Sequence, residues 1–210
     1  MLTRIQLSII AGLTIAMSFL WLMVRGEEPS IGGVTAILGT VITLIYTAVM
    51  AFGKYAWPWA VFRGWLVKRP DLRGSWKVTL VSDYIDPNTG IAVPPIRAYM
   101  VVRQTLTTLS MRLFTKESRS VSVAHSIEQE TDGLFGLSAV YRNVPKIEHQ
   151  GKKSAIHHGA LLMEIHEVIP QRLEGHYWTD RRTRGEIVME RKSGSCFSSF
   201  EDASRALDSL

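Results

Sequence analysis

The chain has 210 residues, a formal net charge of +5, a sequence pI of about 9.5 and one cysteine. The charge is uneven, because residues 1–69 carry a net +4 and the remaining residues only +1. A surface for DNA or RNA needs a local cluster of cations, so these totals argue against a nucleic-acid partner. The single Cys196 excludes an internal disulfide and fits a reducing compartment.

Two apolar runs near the N-terminus, Ile5–Val24 and Ile31–Phe52, each have about 20 residues and contain no charged side chain. At a helical rise of ~1.5 Å per residue, either run covers the ~30 Å hydrocarbon core of a bilayer. The short linker Arg25–Ser30 requires the two helices to be antiparallel neighbours. Residues 1–52 are therefore predicted to form a transmembrane hairpin, with spans at about 5–24 and 31–52.

The orientation of this hairpin follows from its flanking cations. Arg4 precedes the first span, and Lys54, Arg63, Lys68 and Arg69 follow the second. Lys and Arg are retained on the cytoplasmic side, so a multi-pass protein with both termini in the cytoplasm is predicted. A cleaved signal peptide is disfavoured, because the apolar region of a signal peptide has only ~7–15 residues and the run Ile5–Val24 is longer.

Residues 53–70 alternate aromatic and basic side chains where the chain leaves the second span. Trp and Tyr favour the membrane–water interface because their rings are apolar with one polar tip. This pattern predicts a juxtamembrane belt that lies on the inner leaflet. Pro70 and Asp71 mark its boundary with the next domain.

From Gly74 onward apolar and polar residues alternate, and β-branched and turn residues become common, which is typical of half-buried strands. Eight strands are predicted, at 75–82, 96–105, 108–115, 120–128, 134–141, 158–165, 172–179 and 186–191. Closing such a sheet into a barrel removes its exposed edges. The predicted fold is a membrane-anchored all-β protein, in which residues 71–192 form an antiparallel eight-stranded β-barrel that senses a ligand. A β-sandwich is the alternative, and the Ser-rich residues 193–210 are predicted to be a flexible tail with a short helix.

Motifs for catalysis and metal binding are missing from the sequence. His166-Glu167 is not continued to a second histidine at zinc-binding spacing, and there is no Gly-x-Ser-x-Gly and no phosphate-binding glycine loop. His157 and His158 are adjacent, so on a strand they point to opposite faces. We therefore predict a protein that is not an enzyme and holds neither a metal nor a cofactor.

The barrel region does offer the side chains that a nucleotide requires, since rings stack on bases and Arg binds phosphate through paired hydrogen bonds. For each residue a structural role competes, because an alternating Arg usually points to water and a barrel Tyr usually packs. The candidate ligand-binding residues are Arg97, Tyr99, Arg103, Tyr141, Asn143, His158, Tyr177, Trp178 and Arg181.

The organisation as a whole resembles one bacterial family. A two-span hairpin and a juxtamembrane segment precede Asp71-Leu-Arg-Gly-Ser-Trp-Lys-Val78, and the β-rich region ends with Tyr177-Trp-Thr-Asp-Arg181 and Gly185. In this the chain is similar to the CD-NTase-associated two-transmembrane β-barrel effectors of CBASS antiphage defence.

The resemblance implies a function. A cytosolic eight-stranded barrel is expected to bind a cyclic dinucleotide that a partner nucleotidyltransferase makes after phage infection. The resemblance further implies that the receptor then forms a homo-oligomer and that its spans disrupt the bacterial inner membrane, so that the infected cell dies before phage are released.

Two other functions stay open on the sequence. Gly74-Ser-Trp76 is similar to the opening of lipocalin-like barrels, which would make the chain a membrane-anchored binder of an apolar molecule. A membrane-tethered scaffold that docks a protein would bind no small molecule. The ligand class therefore distinguishes the three hypotheses.

Overall fold

A computed structural model describes residues 4–25, 31–87, 89–151 and 154–208, with the side chains of 4–6, 22, 25, 31–38, 191 and 192 left out. The chain divides into two units. One contains residues 1–68 and 105–107, and the other contains residues 69–104 and 108–210. Each unit is described in turn.

Two long helices dominate the first unit: α1, Arg4–Arg25, and α2, Ile31–Ala51. They contact each other, as the short linker requires. The hydroxyls of Thr14, Thr43 and Thr47 each donate to the carbonyl four residues earlier, at 2.8 Å. These hydrogen bonds satisfy the hydroxyls within each helix, so the described threonines are compatible with an apolar surrounding.

Only one described helical segment, Gly39–Ala56, is both long and apolar enough to cross a membrane. It begins within α2 and continues through a π-helical turn at Phe52–Ala56. In α1, Leu7–Trp21 forms a shorter apolar helix. The predicted helices are therefore present, whereas a hairpin with two membrane spans stays a prediction.

The juxtamembrane segment contains the π-helical turn and a short 3₁₀-helix at Ala60–Phe62. The rings of Phe52 and Phe62 meet edge to face, with centroids 4.9 Å apart. Trp59 and Trp65 remain more than half exposed. These exposed rings fit the predicted interfacial belt, because an indole has an apolar body and a single polar N–H.

The second unit is a closed barrel in which every strand pairs with its neighbour in sequence and β1 pairs with β8. This confirms the predicted eight-stranded antiparallel barrel over the β-sandwich, and each observed strand overlaps a predicted one. The strands are β1 Gly74–Ser82, β2 Ile96–Gln104, β3 Leu109–Thr115, β4 Ser118–Gln129, β5 Phe135–Pro145, β6 His157–Ile165, β7 Arg172–Thr179 and β8 Arg184–Ser193.

Large apolar side chains fill the lumen at the end where β1 begins. Trp76, Leu137, Ile165, Leu173 and Met189 are all at most 3% exposed there. They come from alternate positions of their strands, because side chains along a strand point in turn to the two faces of the sheet. Burying each of them contributes roughly 1.5–3 kcal/mol, so this end is a packed core.

A buried amide closes the same end. The Gln104 side-chain carbonyl accepts from the Leu72 N–H, and its amide donates to the Pro70 carbonyl, both at 2.8 Å. The Trp76 indole Nε1 donates to the Leu72 carbonyl at 3.0 Å. The segment that enters β1 is thereby fixed over the lumen, with its buried backbone groups satisfied.

The outer face of β2 is covered by a third helix, α3, Phe200–Leu207. Ser199 caps the helix by accepting from the Asp202 N–H at 3.0 Å. Ala203 and Leu207 are buried against Tyr99, whose side chain is fully buried. The segment predicted as a flexible tail thus contains a helix that packs on the barrel.

Asp208 follows α3 and accepts hydrogen bonds from four side chains of β1, β2 and α3. The donors are Tyr99 Oη at 2.6 Å, Lys77 Nζ at 2.9 Å, Ser204 Oγ at 3.1 Å and Arg97 Nη1 at 3.2 Å. The hydrogen bonds from Tyr99 and Lys77 lower the pKa of Asp208 to about 2.

We expect Gln104→Leu to destabilise the barrel by about 2 kcal/mol or more, because the Leu72 N–H and the Pro70 carbonyl both lose their partner. Thermal unfolding followed by near-ultraviolet circular dichroism measures the effect on the detergent-purified chain. Arg103→Gln, on the exposed neighbouring position, is the matched control. Equal melting temperatures for the two variants would show that the amide does not hold this end closed.

Asp208→Asn should lower the melting temperature much more at pH 7 than near pH 2. A carboxylate with a lowered folded-state pKa stabilises the fold above its unfolded-state pKa, and this stabilisation disappears as the pH falls through the folded-state value of about 2. The measurement is the difference between wild type and variant at both pH values. Glu164→Gln, at an exposed site, should show no such convergence; a difference that is independent of pH contradicts the assignment.

Candidate functional site

The opposite end of the barrel lumen is hollow. A cavity of about 580 Å³ opens where β1, β3, β5 and β7 end. Its lining includes small or polar side chains, namely Ser120, Ser122, Ala139 and Thr179. The other end of the lumen carries large apolar side chains instead. Because the barrel wall is continuous, this difference in side-chain size leaves room for a ligand at one end only.

The floor of the cavity is apolar. It is lined by Met100, Met111, Leu113, Leu161 and Ile187, which come from four strands, β2, β3, β6 and β8. Four of these residues belong to the buried core, and Leu113 packs against it. The cavity therefore rests on packed side chains and is preformed, as in most small-molecule sites.

Two tyrosines stand on the walls, each lying over a glycine of the adjacent strand. Tyr141 pairs with Gly159, and Tyr177 pairs with Gly185. A Cβ atom at either glycine would overlap the ring of the paired tyrosine. Burial, with smaller contributions from Tyr177 and Asp180, raises the pKa of the Tyr141 phenol. The Tyr141 phenol therefore stays neutral, and both tyrosine rings line the cavity.

A chain of hydrogen-bonded polar side chains crosses the cavity wall from β4 through β5 to β6. Ser120 Oγ donates to Asn143 Oδ1 at 3.2 Å, and Asn143 Nδ2 lies 3.3 Å from His157 Nε2. His157 Nδ1 lies 3.1 Å from the Ala155 carbonyl oxygen. Ser120 and Asn143 are each only 9% exposed, so an uncharged hydrogen-bonding wall lies inside the lumen.

The rim carries an excess of positive charge. Arg97, Lys116 and Arg181 line the cavity mouth together with a single carboxylate, Glu117. Arg181 Nη1 donates to Ser154 Oγ at 2.8 Å, which positions the guanidinium at the rim. Arg97 is paired with Asp208, so Lys116 and Arg181 against Glu117 leave one net positive charge, which attracts a negatively charged ligand.

Five of the nine residues predicted from the sequence are brought together here. Arg97, Tyr141, Asn143, Tyr177 and Arg181 all line the cavity. Arg97 sits on the rim and also pairs with Asp208. Their contact with a ligand stays a prediction, but one cavity now holds them all.

The other four predicted residues lie outside the cavity. Tyr99 is buried beneath α3, with its ring 5.1 Å from that of Phe200, and Arg103 is exposed on the same outer face of β2. His158 points outward beside Asp180, with 57% of its side chain exposed. Trp178 lies in a groove on the outer surface. The side chains that face the lumen are the immediate neighbours of these four residues along their strands, such as Met100, His157 and Tyr177.

Several cavity residues were not predicted from the sequence, notably Ser120, His157 and Lys116. Two of these residues can be identified from the register of the strands. Asn143 pairs with Ser120 on one side and with His157 on the other. Choosing the partners of Asn143 across its neighbouring strands would have found two of the three.

The histidines of this end do not assemble a metal centre in the described part of the chain. His149 and His157 both line the cavity. Among the residues with described positions, no three His, Cys, Asp or Glu side chains are placed to hold a metal ion.

Comparison with known proteins agrees with this geometry. The family model described as Cap15, cyclic dinucleotide receptor domain, matches residues 67–191. No curated protein matches the chain. The match begins just before β1 and ends within β8, so it covers the barrel and its cavity and leaves out α3. Because it extends over more than half of the chain, the protein belongs to the Cap15 family of cyclic dinucleotide receptor domains.

Proposed function

We propose that the barrel binds a cyclic dinucleotide in the lumenal cavity. The observation that carries this proposal is the combination of two wall tyrosines with a cationic rim around one preformed cavity. Its volume of about 580 Å³ falls within the ~300–1,000 Å³ of small-ligand sites. Membership of the receptor family supports the same ligand class.

The cavity matches the ligand group by group. Each of the two phosphodiesters carries one negative charge, and the guanidinium groups of Arg97 and Arg181 offer paired donors at the rim. The bases are flat and largely apolar on their faces, so they suit the rings of Tyr141 and Tyr177 above the apolar floor.

A lipocalin-like function has one observation in its favour, the apolar floor of the cavity. An apolar ligand would, however, cover the Ser120, Asn143 and His157 wall without offering hydrogen bonds, and buried polar groups left unpaired oppose binding. The scaffold hypothesis leaves the cavity without a role. A cyclic dinucleotide uses the floor, the wall and the rim together.

The N-terminal helices give the receptor a membrane anchor in this proposal. At ~1.5 Å per residue, α1 and α2 each reach across a bilayer core of ~30 Å. Large apolar side chains such as Ile15, Phe19 and Ile42 are more than half exposed. Lipid would cover surface of this kind. We propose a position in the bacterial inner membrane, with both termini in the cytoplasm because the cations flank the hairpin on that side.

The protein is proposed to act as an effector of CBASS antiphage defence. A ligand shifts an assembly equilibrium only by binding one state better than the other. We propose that occupied barrels self-associate, that their hairpins gather, and that the inner membrane is disrupted. The binder then needs no catalytic step, since a partner nucleotidyltransferase makes the signal.

Calorimetric titration of the detergent-purified chain with a panel of cyclic dinucleotides and fatty acids tests the ligand class. We expect saturable binding of a cyclic dinucleotide, and Arg181→Ala should weaken it by about tenfold to a hundredfold through loss of charged hydrogen bonds. Arg103→Ala removes an equal charge from the outer face and should have no such effect. Binding of fatty acids but of no cyclic dinucleotide would contradict the proposed function and support the lipocalin-like hypothesis.

Co-expression with the partner nucleotidyltransferase tests the membrane activity. Propidium iodide entry should rise when both proteins are present and stay at background when either is expressed alone. The Arg181→Ala chain should give little entry with the nucleotidyltransferase, because fewer barrels are occupied. Permeabilisation by the chain without the nucleotidyltransferase would contradict gating by a nucleotide.

A further inference from the structure

The polar wall of the cavity has a defined direction of hydrogen bonding. The Ala155 carbonyl oxygen can only accept, so the proton of His157 is placed on Nδ1, 3.1 Å away. In neutral imidazole the other nitrogen is then an acceptor. His157 Nε2 therefore accepts from Asn143 Nδ2 at 3.3 Å. A backbone carbonyl thus sets the tautomer of the histidine.

The hydrogen bonds of Ser120 and His157 also determine the orientation of the Asn143 carboxamide. Ser120 Oγ donates to Asn143 Oδ1 at 3.2 Å. A rotated amide would set Oδ1 against Nε2 of His157, and two acceptors would face each other. Asn143 therefore has one favoured orientation, although an asparagine amide is otherwise easily reversed.

Among the described residues, this arrangement leaves one N–H of Asn143 and one lone pair of its Oδ1 without a partner. Adjacent donor and acceptor positions are what a carboxamide uses to pair with a base edge, as Asn does with adenine. A phosphate would need donors only, and the donors with charge lie at the rim on Arg97 and Arg181. The neutral, 9% exposed Asn143 is thus suited to a base.

We propose that Asn143 is the base-discriminating residue of the cavity, with His157 and Ser120 as the positioning residues that hold its amide in one orientation. This inference rests on the proposed binding of a cyclic dinucleotide. It adds that ligands of equal charge and size are distinguished by the hydrogen-bonding edge of one base. A site whose donors and acceptors are fixed rejects a mismatched edge, because its buried groups are left unpaired.

The test compares affinities of the full chain in detergent for cyclic di-AMP, cyclic di-GMP, cyclic di-UMP and cyclic UMP–AMP. The readout is the ratio of affinity between the best and the poorest ligand. Asn143→Leu, which is uncharged and similar in size, should lower that ratio by about tenfold or more, mainly by weakening the best ligand. His157→Leu should also lower it, because the amide is then free to reverse.

His157→Gln keeps an acceptor for the Asn143 N–H and should restore part of the discrimination. His158→Gln, one residue along and on the outer face, should leave the ratio unchanged. A uniform loss of affinity for all ligands in Asn143→Leu and His157→Leu would overturn the inference while the proposed function stands. If the wild-type chain binds none of the four ligands, the proposed function fails and this inference falls with it.

Discussion

The width of an eight-stranded barrel is the constraint on which the site depends. With strand number fixed, only the size of the inward side chains decides whether the lumen is filled or hollow. Trp76, Leu137 and Ile165 fill one end, whereas Ser120, Ala139 and the two glycines beneath the tyrosines leave the other end open. The packed end supports the floor of the cavity, because the residues of the floor belong to the core or pack against it. Stability and binding are in this way assigned to opposite ends of the same strands.

Strand count and barrel closure were predictable, because alternation and turn residues repeat through the whole of the second unit. It was not predictable, however, which residues of β2 face the lumen. The residues of this strand from Ala98 to Val102 are all buried, since the lumen covers one face and α3 covers much of the other. Alternation of polarity, which normally reveals the inward face, is absent from such a strand. A short helix was predicted in the C-terminal segment, but the packing of its Ala203 and Leu207 on β2 was not.

The candidate site was predicted as far as residue chemistry alone allows. Rings and cations were sought, and Tyr141, Tyr177 and Arg181 are at the cavity. The wall was missed because Ser120 and His157 become informative only through their pairing with Asn143. On β4 a bulge between Ser122 and Ala124 also exchanges the two faces partway along the strand. A periodic sequence pattern cannot record such a shift, so register has to come from the structure.

Because the barrel closes through its first and last strands, the ligand-binding domain is completed late in synthesis, after the N-terminal helices. The first strand pairs with the last, and the Ser75 hydroxyl donates to the carbonyl of Ser195, 120 residues later in the chain. At ~5–20 residues per second, synthesis separates these partners by several seconds. The N-terminal helices leave the ribosome before any strand, and the lumen has no complete wall until β8 has followed. A newly made chain thus holds its membrane segment for a time without a finished receptor, and a chain that stops short of β8 never completes one.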